Sequence, residues 1–126
     1  MGVRSAKELT VYQKAYALSM EIFKVSCSFP AEERYALTGQ IRRSSRSVCM
    51  NLREAWAKRR YEAHFISKIT DCDGEASETD TSLDYARDCG YISEAQHQNF
   101  TARCKEVGAM LGSMIRNPTP FLTPDP

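Results

Sequence analysis

The chain has 126 residues and a formal net charge of +1, with 42% hydrophobic and 26% charged residues and a mean hydropathy of −0.48. That length fits one domain with a core of its own, and the composition excludes a disordered chain. No apolar run approaches the ~18 residues of a membrane span, and no continuous apolar segment of signal-peptide type opens the chain, so no membrane association and a cytoplasmic location are expected.

The first helix is expected from about Ala6 to Ser26. Leu9, Tyr12, Tyr16 and Phe23 form one row along it, and Ala15, Leu18, Ile22 and Val25 form a second. Two adjacent apolar rows predict a helix packed between neighbours, with both rows in the core. Pro30 then removes a backbone donor and drives Phe29 out of the helical region.

The second helix is expected from Ala31 or Glu32, two acids at 32 and 33 suiting its positive end, to about Trp56. Its seam is Leu37, Ile41, Ser44, Val48, Leu52 and Ala55. The third runs from Tyr61 or Glu62 to Cys89, with Phe65, Ile69, Cys72, Ala76, Thr79, Leu83 and Ala86 alternating at spacings of four and three. Gly74 lies inside it, weakens the helix, and predicts a close backbone approach or a kink. Gly90 suits a left-handed C-terminal cap, and Ser93 with Gln96 forms a capping box for a fourth helix ending near Arg116. Phe100, Cys104, Val107, Leu111 and Met114 are its seam.

No alternating strand pattern of useful length appears. The fold class is therefore all-α: an antiparallel up-and-down four-helix bundle over residues 1–116. The segment 117–126, NPTPFLTPDP, holds four prolines and is expected to be a flexible, extended tail.

Five cysteines, an odd number with no CxxC pair, argue against a zinc site and a disulfide framework, and are expected to be buried or half-buried small hydrophobes. His64 and His97 are isolated in sequence. Phosphate-binding, dinucleotide-binding and HExxH motifs are absent, so no cofactor, metal or enzymatic activity is expected. Tyr12, Tyr16, Phe23, Phe65 and Phe100 read as core rather than as stacking platforms.

Charge is the informative feature. Between Gln40 and Arg60 stand seven basic residues, Arg42, Arg43, Arg46, Arg53, Lys58, Arg59 and Arg60, against one acid, Glu54. On a helical wheel Arg42, Arg46, Arg53 and Arg60 share one stripe beside the apolar seam, ~27 Å long if the helix is unbroken. Guanidinium groups so arranged suit a phosphate backbone, RNA before DNA, and would bind it without sequence preference. Arg43, Lys58 and Arg59 would widen the footprint. The competing expectation is neutralisation: Tyr61 to Phe100 carry nine acids, and a basic helix beside an acidic one pairs with it, within a subunit or between subunits.

Certain residues carry a resemblance: Leu9-x-Val11-Tyr12-Gln13-Lys14-Ala15, then Phe29-Pro30-x-x-Glu33-x-Tyr35-x-Leu37-x-x-Gln40-Ile41-Arg42-Arg43-Ser44, Asn51-Leu52-x-Glu54, Gly90-Tyr91-Ile92, and Glu106-Val107-Gly108-x-Met110-Leu111. The chain resembles the four-helix-bundle proteins encoded in ribosomal-RNA intervening sequences, relatives of the accessory variability determinant of diversity-generating retroelements. The resemblance implies a ring-like homopentamer, a basic surface for structured RNA, a reverse transcriptase as possible protein partner, and no enzymatic activity. The chain departs from the family pattern where Glu54 is followed by Ala55 and Trp56, and in a third helix poorer in leucine.

Overall fold

Apolar residues recurring every three or four positions need a shared interior. In the computed structural model, which describes residues 2–123, four α-helices supply it. They are α1 (Thr10–Ser26), α2 (Gly39–Ala57), α3 (Glu62–Asp88) and α4 (Glu94–Arg116), and no strand occurs among the described residues. Each helix packs on two others, with α1 closing against α4. Cross-links between helices show their directions. Arg42 reaches Ser26 while Cys49 reaches Tyr12, so α1 and α2 run antiparallel. Lys68 meets Asn51 and Thr79 meets Ser44, reversing α3 against α2. Lys14 pairs with Glu106 and Arg103 with Glu21, reversing α4 against α1.

The predicted seams of α2, α3 and α4 are all buried. They form two apolar clusters, one centred on Leu52, Phe65, Ile69 and Leu111, the other on Ile22, Ile41, Leu83 and Phe100. A buried polar contact joins α2 to α3 across the core. The Thr79 hydroxyl donates to the Glu75 carbonyl at 2.9 Å, which leaves its oxygen to accept from Ser44 at 2.8 Å. Small side chains at 44 and 79 need this bond, because a buried hydroxyl without a partner costs about 1–3 kcal/mol. It also accounts for a threonine in place of leucine at position 79 of α3.

The helix ends follow local chemistry. Gly90 adopts φ 79°, and the Tyr91 and Gly90 amides donate to the Ala86 and Arg87 carbonyls, the Schellman arrangement. Ser93 and Gln96 form the expected capping box. Two starts differ from expectation. A Ser5–Glu8 capping box closes a separate 3₁₀ turn, Ala6–Glu8, and Leu9 is extended, so α1 begins only at Thr10. Before α2 the chain forms a 3₁₀ turn, Ala31–Glu33, and a π-helical turn, Arg34–Thr38. The cause lies in Glu33, whose carboxylate accepts from the Leu37 amide and, at 2.8 Å, from the Tyr91 hydroxyl. That second bond stabilises the protonated phenol and pushes Tyr91 up to about 12.

The C-terminal segment is not extended over its described part. Thr119–Phe121 form a 3₁₀ turn, Pro118 is buried, Phe121 stacks on Phe65 with ring centroids 6.2 Å apart, and the Thr123 amide donates to the Arg59 carbonyl. Phe121 and Leu122 cover the open end of the first cluster, and that burial outweighs the proline content. The remainder of the predicted flexible tail, 124–126, lies outside the described residues. Two cysteines also depart from expectation. Cys49, Cys72 and Cys104 are buried, their thiols pushed up to about 12 by desolvation, whereas Cys27 and Cys89 are exposed.

Gly74 sits in an unbroken α3, and a Cβ there would meet nothing within 4 Å. Neither a kink nor a close approach explains it, and Gly74→Ala is expected to raise stability by about 1 kcal/mol in urea denaturation. At Gly39 a Cβ would lie 2.9 Å from the Arg34 carbonyl oxygen, brought there by the π turn. Gly39→Ala is expected to lower stability by about 1–3 kcal/mol in the same assay. Equal effects at the two positions would contradict the π turn.

Candidate nucleic-acid interface

Burying the seam of α2 against α3 sends its arginine edge toward α1. Arg42 donates from Nε to the Ser26 hydroxyl at 2.8 Å, and its guanidinium lies 4.7 Å above the Phe23 ring. Arg46 approaches the same ring at 5.5 Å from one turn further on. Both cations thus sit at the C-terminal end of α1, where the helix dipole favours positive charge. Arg46 and Arg53 are exposed and line a groove of about 630 Å³ between α1 and α2. Tyr16, Met20 and Met50, which are 52%, 40% and 68% exposed, line it as well, and Lys7 stands at its end.

The remaining cations are placed differently. Arg43 is exposed on the α3 side, close enough to Glu75 to pull that carboxyl down. Partial burial and Glu78 outweigh it, and Glu75 ends above its usual value. Lys58 terminates α2, and Arg59 and Arg60 fall in the turn to α3. The predicted four-arginine stripe is therefore corrected: α2 ends at Ala57, so Arg42, Arg46 and Arg53 share a helix face of ~16 Å, and Arg60 lies beyond it. Arg59 covers the Trp56 ring at 4.1 Å and donates to the Trp56 carbonyl at 2.8 Å. This explains the tryptophan that departs from the family pattern: with Arg59 it closes the end of α2, and the Arg59 carbonyl then receives Thr123.

Among the described residues none of the seven cations forms an ion pair. The acid nearest to them in sequence, Glu54, is bound by Lys68 at 2.7 Å, and that lysine holds its carboxyl below the usual carboxylate value. On α3, Asp73, Glu75, Glu78 and Asp80 likewise form no ion pair within the described chain. Apart from Arg43, which faces Glu75 without bonding to it, the α2 arginines turn toward α1 and away from these acids. Elsewhere, the two histidines differ. His64 stands edge-on to the Tyr61 ring. His97 is buried, with Nε2 2.7 Å from Asp84 and Nδ1 3.3 Å from Arg87. Because Arg87 only donates, Nδ1 accepts and the Nε2 hydrogen goes to Asp84.

Sequence reasoning missed the aromatic side of this surface. Phe65 and Phe100 are core, as expected, whereas Tyr12 is half-buried at the edge of the first cluster, Phe23 is half-buried under the arginines and Tyr16 is exposed. The buried stripe of α1 is Val11, Ala15, Leu18, Ser19, Ile22 and Ser26. The aromatic row lies about a quarter turn away from it. The available signal was the buried-side serines, Ser19 and Ser26, whose hydroxyls bond back to carbonyls of their own helix and so are free to be buried.

The molecule is thus a small four-helix bundle with an unpaired arginine row beside an aromatic groove. A family model of the 23S rRNA-intervening sequence protein matches residues 7–113, and the chain belongs to that family. A solved structure with a similar fold is a protein of unknown function from the S23 ribosomal protein family of Bacteroides thetaiotaomicron VPI-5482. It is 27% identical, with a TM-score of 0.76, and the match covers 85% of this chain and 96% of that one. No curated protein matches the chain.

Replacing Arg59 by Met keeps the apolar stem over Trp56 and removes the charge. Arg59→Met is expected to cost about 0.5–1 kcal/mol, read by urea denaturation through the fluorescence of Trp56, the chain's one tryptophan. No change would mean that the guanidinium does not hold this end of α2.

Proposed function

We propose that the protein is a non-catalytic RNA-binding module that contacts the phosphate backbone through α2. The observation that carries this reading is the row Arg42, Arg46 and Arg53, one helix face with no carboxylate partner among the described residues. A buried cation of structural purpose is normally paired, whereas exposed cations without carboxylate partners, here Arg46 and Arg53 beside the half-exposed Arg42, attract a polyanion. Arg43, Lys58 and Arg60 extend the positive surface around it, and Arg59 adds to it only after its role at Trp56. Family membership agrees with a role near ribosomal RNA. The resemblance to accessory variability determinants further suggests a pentameric ring and a reverse transcriptase as protein partner, and a ribosomal-RNA-related family agrees with a cytoplasmic location.

A second reading has its own observation. Among the described residues Asp73, Glu75, Glu78 and Asp80 also form no ion pair, so the basic face of one copy can meet the acidic face of the next. Such a ring would recruit proteins and leave RNA untouched.

Fluorescence anisotropy with a labelled structured RNA, repeated over a salt series, separates the two. Binding is expected to weaken steeply with salt, and Arg46→Gln with Arg53→Gln is expected to lower the log–log slope by roughly two. Absence of binding at low salt, or a slope unchanged in the double variant, would reject the phosphate track. An oligomer that dissociates as salt rises, without RNA affinity, would favour the second reading.

A further inference from the structure

The arginine row does not stand alone on its surface. Tyr12, Tyr16, Met20 and Phe23 succeed one another along α1 at spacings of four, four and three, one stripe on the helix. Antiparallel packing lays this stripe beside Arg53, Arg46 and Arg42, in that order. Phe23 lies under two guanidinium groups, at 4.7 and 5.5 Å. Further along, the Tyr12 and Tyr16 rings stack, 6.2 Å between centroids and 19° from parallel. Tyr16 is half-exposed at the groove that Arg46 and Arg53 edge. The groove contains one acid, Glu54, and Lys68 neutralises it at 2.7 Å.

Each half of this surface alone has an ordinary explanation: exposed arginines solvate and an exposed tyrosine is common. Together they have the composition of a single-strand track. A flexible strand keeps its phosphates on cations while its unpaired bases turn onto aromatic faces. A duplex does not fit this arrangement, because its bases are already paired and stacked and its phosphates alone would reach the protein. The groove's charge also decides the occupant, since its net character is cationic and the ligand it complements is an anion with flat apolar groups.

Resting on the RNA-binding reading above, we infer that the α1–α2 groove is a site for unpaired nucleotides, with a base stacked on Tyr16 and the flanking phosphates on Arg46 and Arg53. The specificity is for single-stranded over duplex RNA, not for a base sequence.

The test uses the full chain and two fluorescein-labelled probes at equal salt: an oligouridylate of about 12 nucleotides, within the size range of single-strand sites, and an RNA duplex of the same strand length. The oligouridylate is expected to bind about tenfold more tightly, although the duplex has the higher charge density. Tyr16→Ala is expected to weaken the oligouridylate about tenfold and leave the duplex unchanged, and Tyr16→Phe to retain the wild-type preference. In Tyr16→Trp, the added indole is expected to be quenched by oligouridylate and not by duplex.

Salt-dependent binding that prefers duplex, or that ignores Tyr16→Ala, would overturn the stacking site and leave the phosphate track standing. No binding to either probe would overturn both. A lower molar mass for Tyr16→Ala in sedimentation equilibrium would also overturn the proposal, because it would make the groove a seat for a second copy of the chain.

Discussion

One stripe of α2, from Ile41 through Ala55, has to be buried, and the rest of the molecule depends on where that stripe points. Ile41, Ser44, Leu52 and Ala55 are almost wholly inaccessible, pressed against α3. The helix has no freedom to rotate, because turning it would expose this row and bury arginines at a far larger cost. The cations that flank the stripe are therefore divided in a fixed way. Arg42, Arg46 and Arg53 go to the α1 side, and Arg43 goes to the α3 side.

The contact between α2 and α3 is made close by small residues and made specific by a hydrogen bond. Ser44 and Thr79 meet between the two apolar clusters, where larger side chains would push the helices apart. A buried polar pair tolerates little slippage, because any shift of register strands a hydroxyl. The ends of the bundle are held by different means. At one end Gly90 and Tyr91 terminate α3 and tie it to Glu33. At the other, Trp56, Arg59, Phe121 and Thr123 bind the α2–α3 turn to the C-terminal segment. Both ends join residues far apart in sequence, so the arginine face is carried on a frame secured at each extremity.

Charge separation is the feature that joins this frame to function. A near-neutral chain with most of its α2 arginines on the α1 side and acids without ion pairs on α3 is attractive to partners of either sign. Lys68 has a particular part in this, since it reaches across from α3 to pair with Glu54 at the rim of the groove. Without it the groove would hold a free carboxylate beside Arg53. Family membership and a similar solved fold agree on a helical bundle, while the unpaired arginines and the half-open tyrosines are properties of this chain's own surface.

The four helices, the seams of α2, α3 and α4, the Gly90 cap and the Ser93–Gln96 box were legible in the sequence, because each is a local pattern: a period, a turn residue, a spacing of three. The concentration of basic residues was equally visible. Other features needed the tertiary structure. A wheel shows that two apolar rows on α1 are adjacent but not which of them faces the core, and here the row with Ala15, Leu18 and Ile22 is inside, joined by Ser19 and Ser26, while the row with Tyr16 faces the groove. The length of the arginine face depended on where α2 stops, and Trp56 and Arg59 set that stop through contacts with the returning C-terminal segment. Whether the acids of α3 neutralise the arginines was also a question of direction, since Arg43 faces Glu75 while Arg42, Arg46 and Arg53 turn toward α1. Residue types and their periods determine what a helix has to bury. Only packing decides which of its remaining faces are left to meet something else.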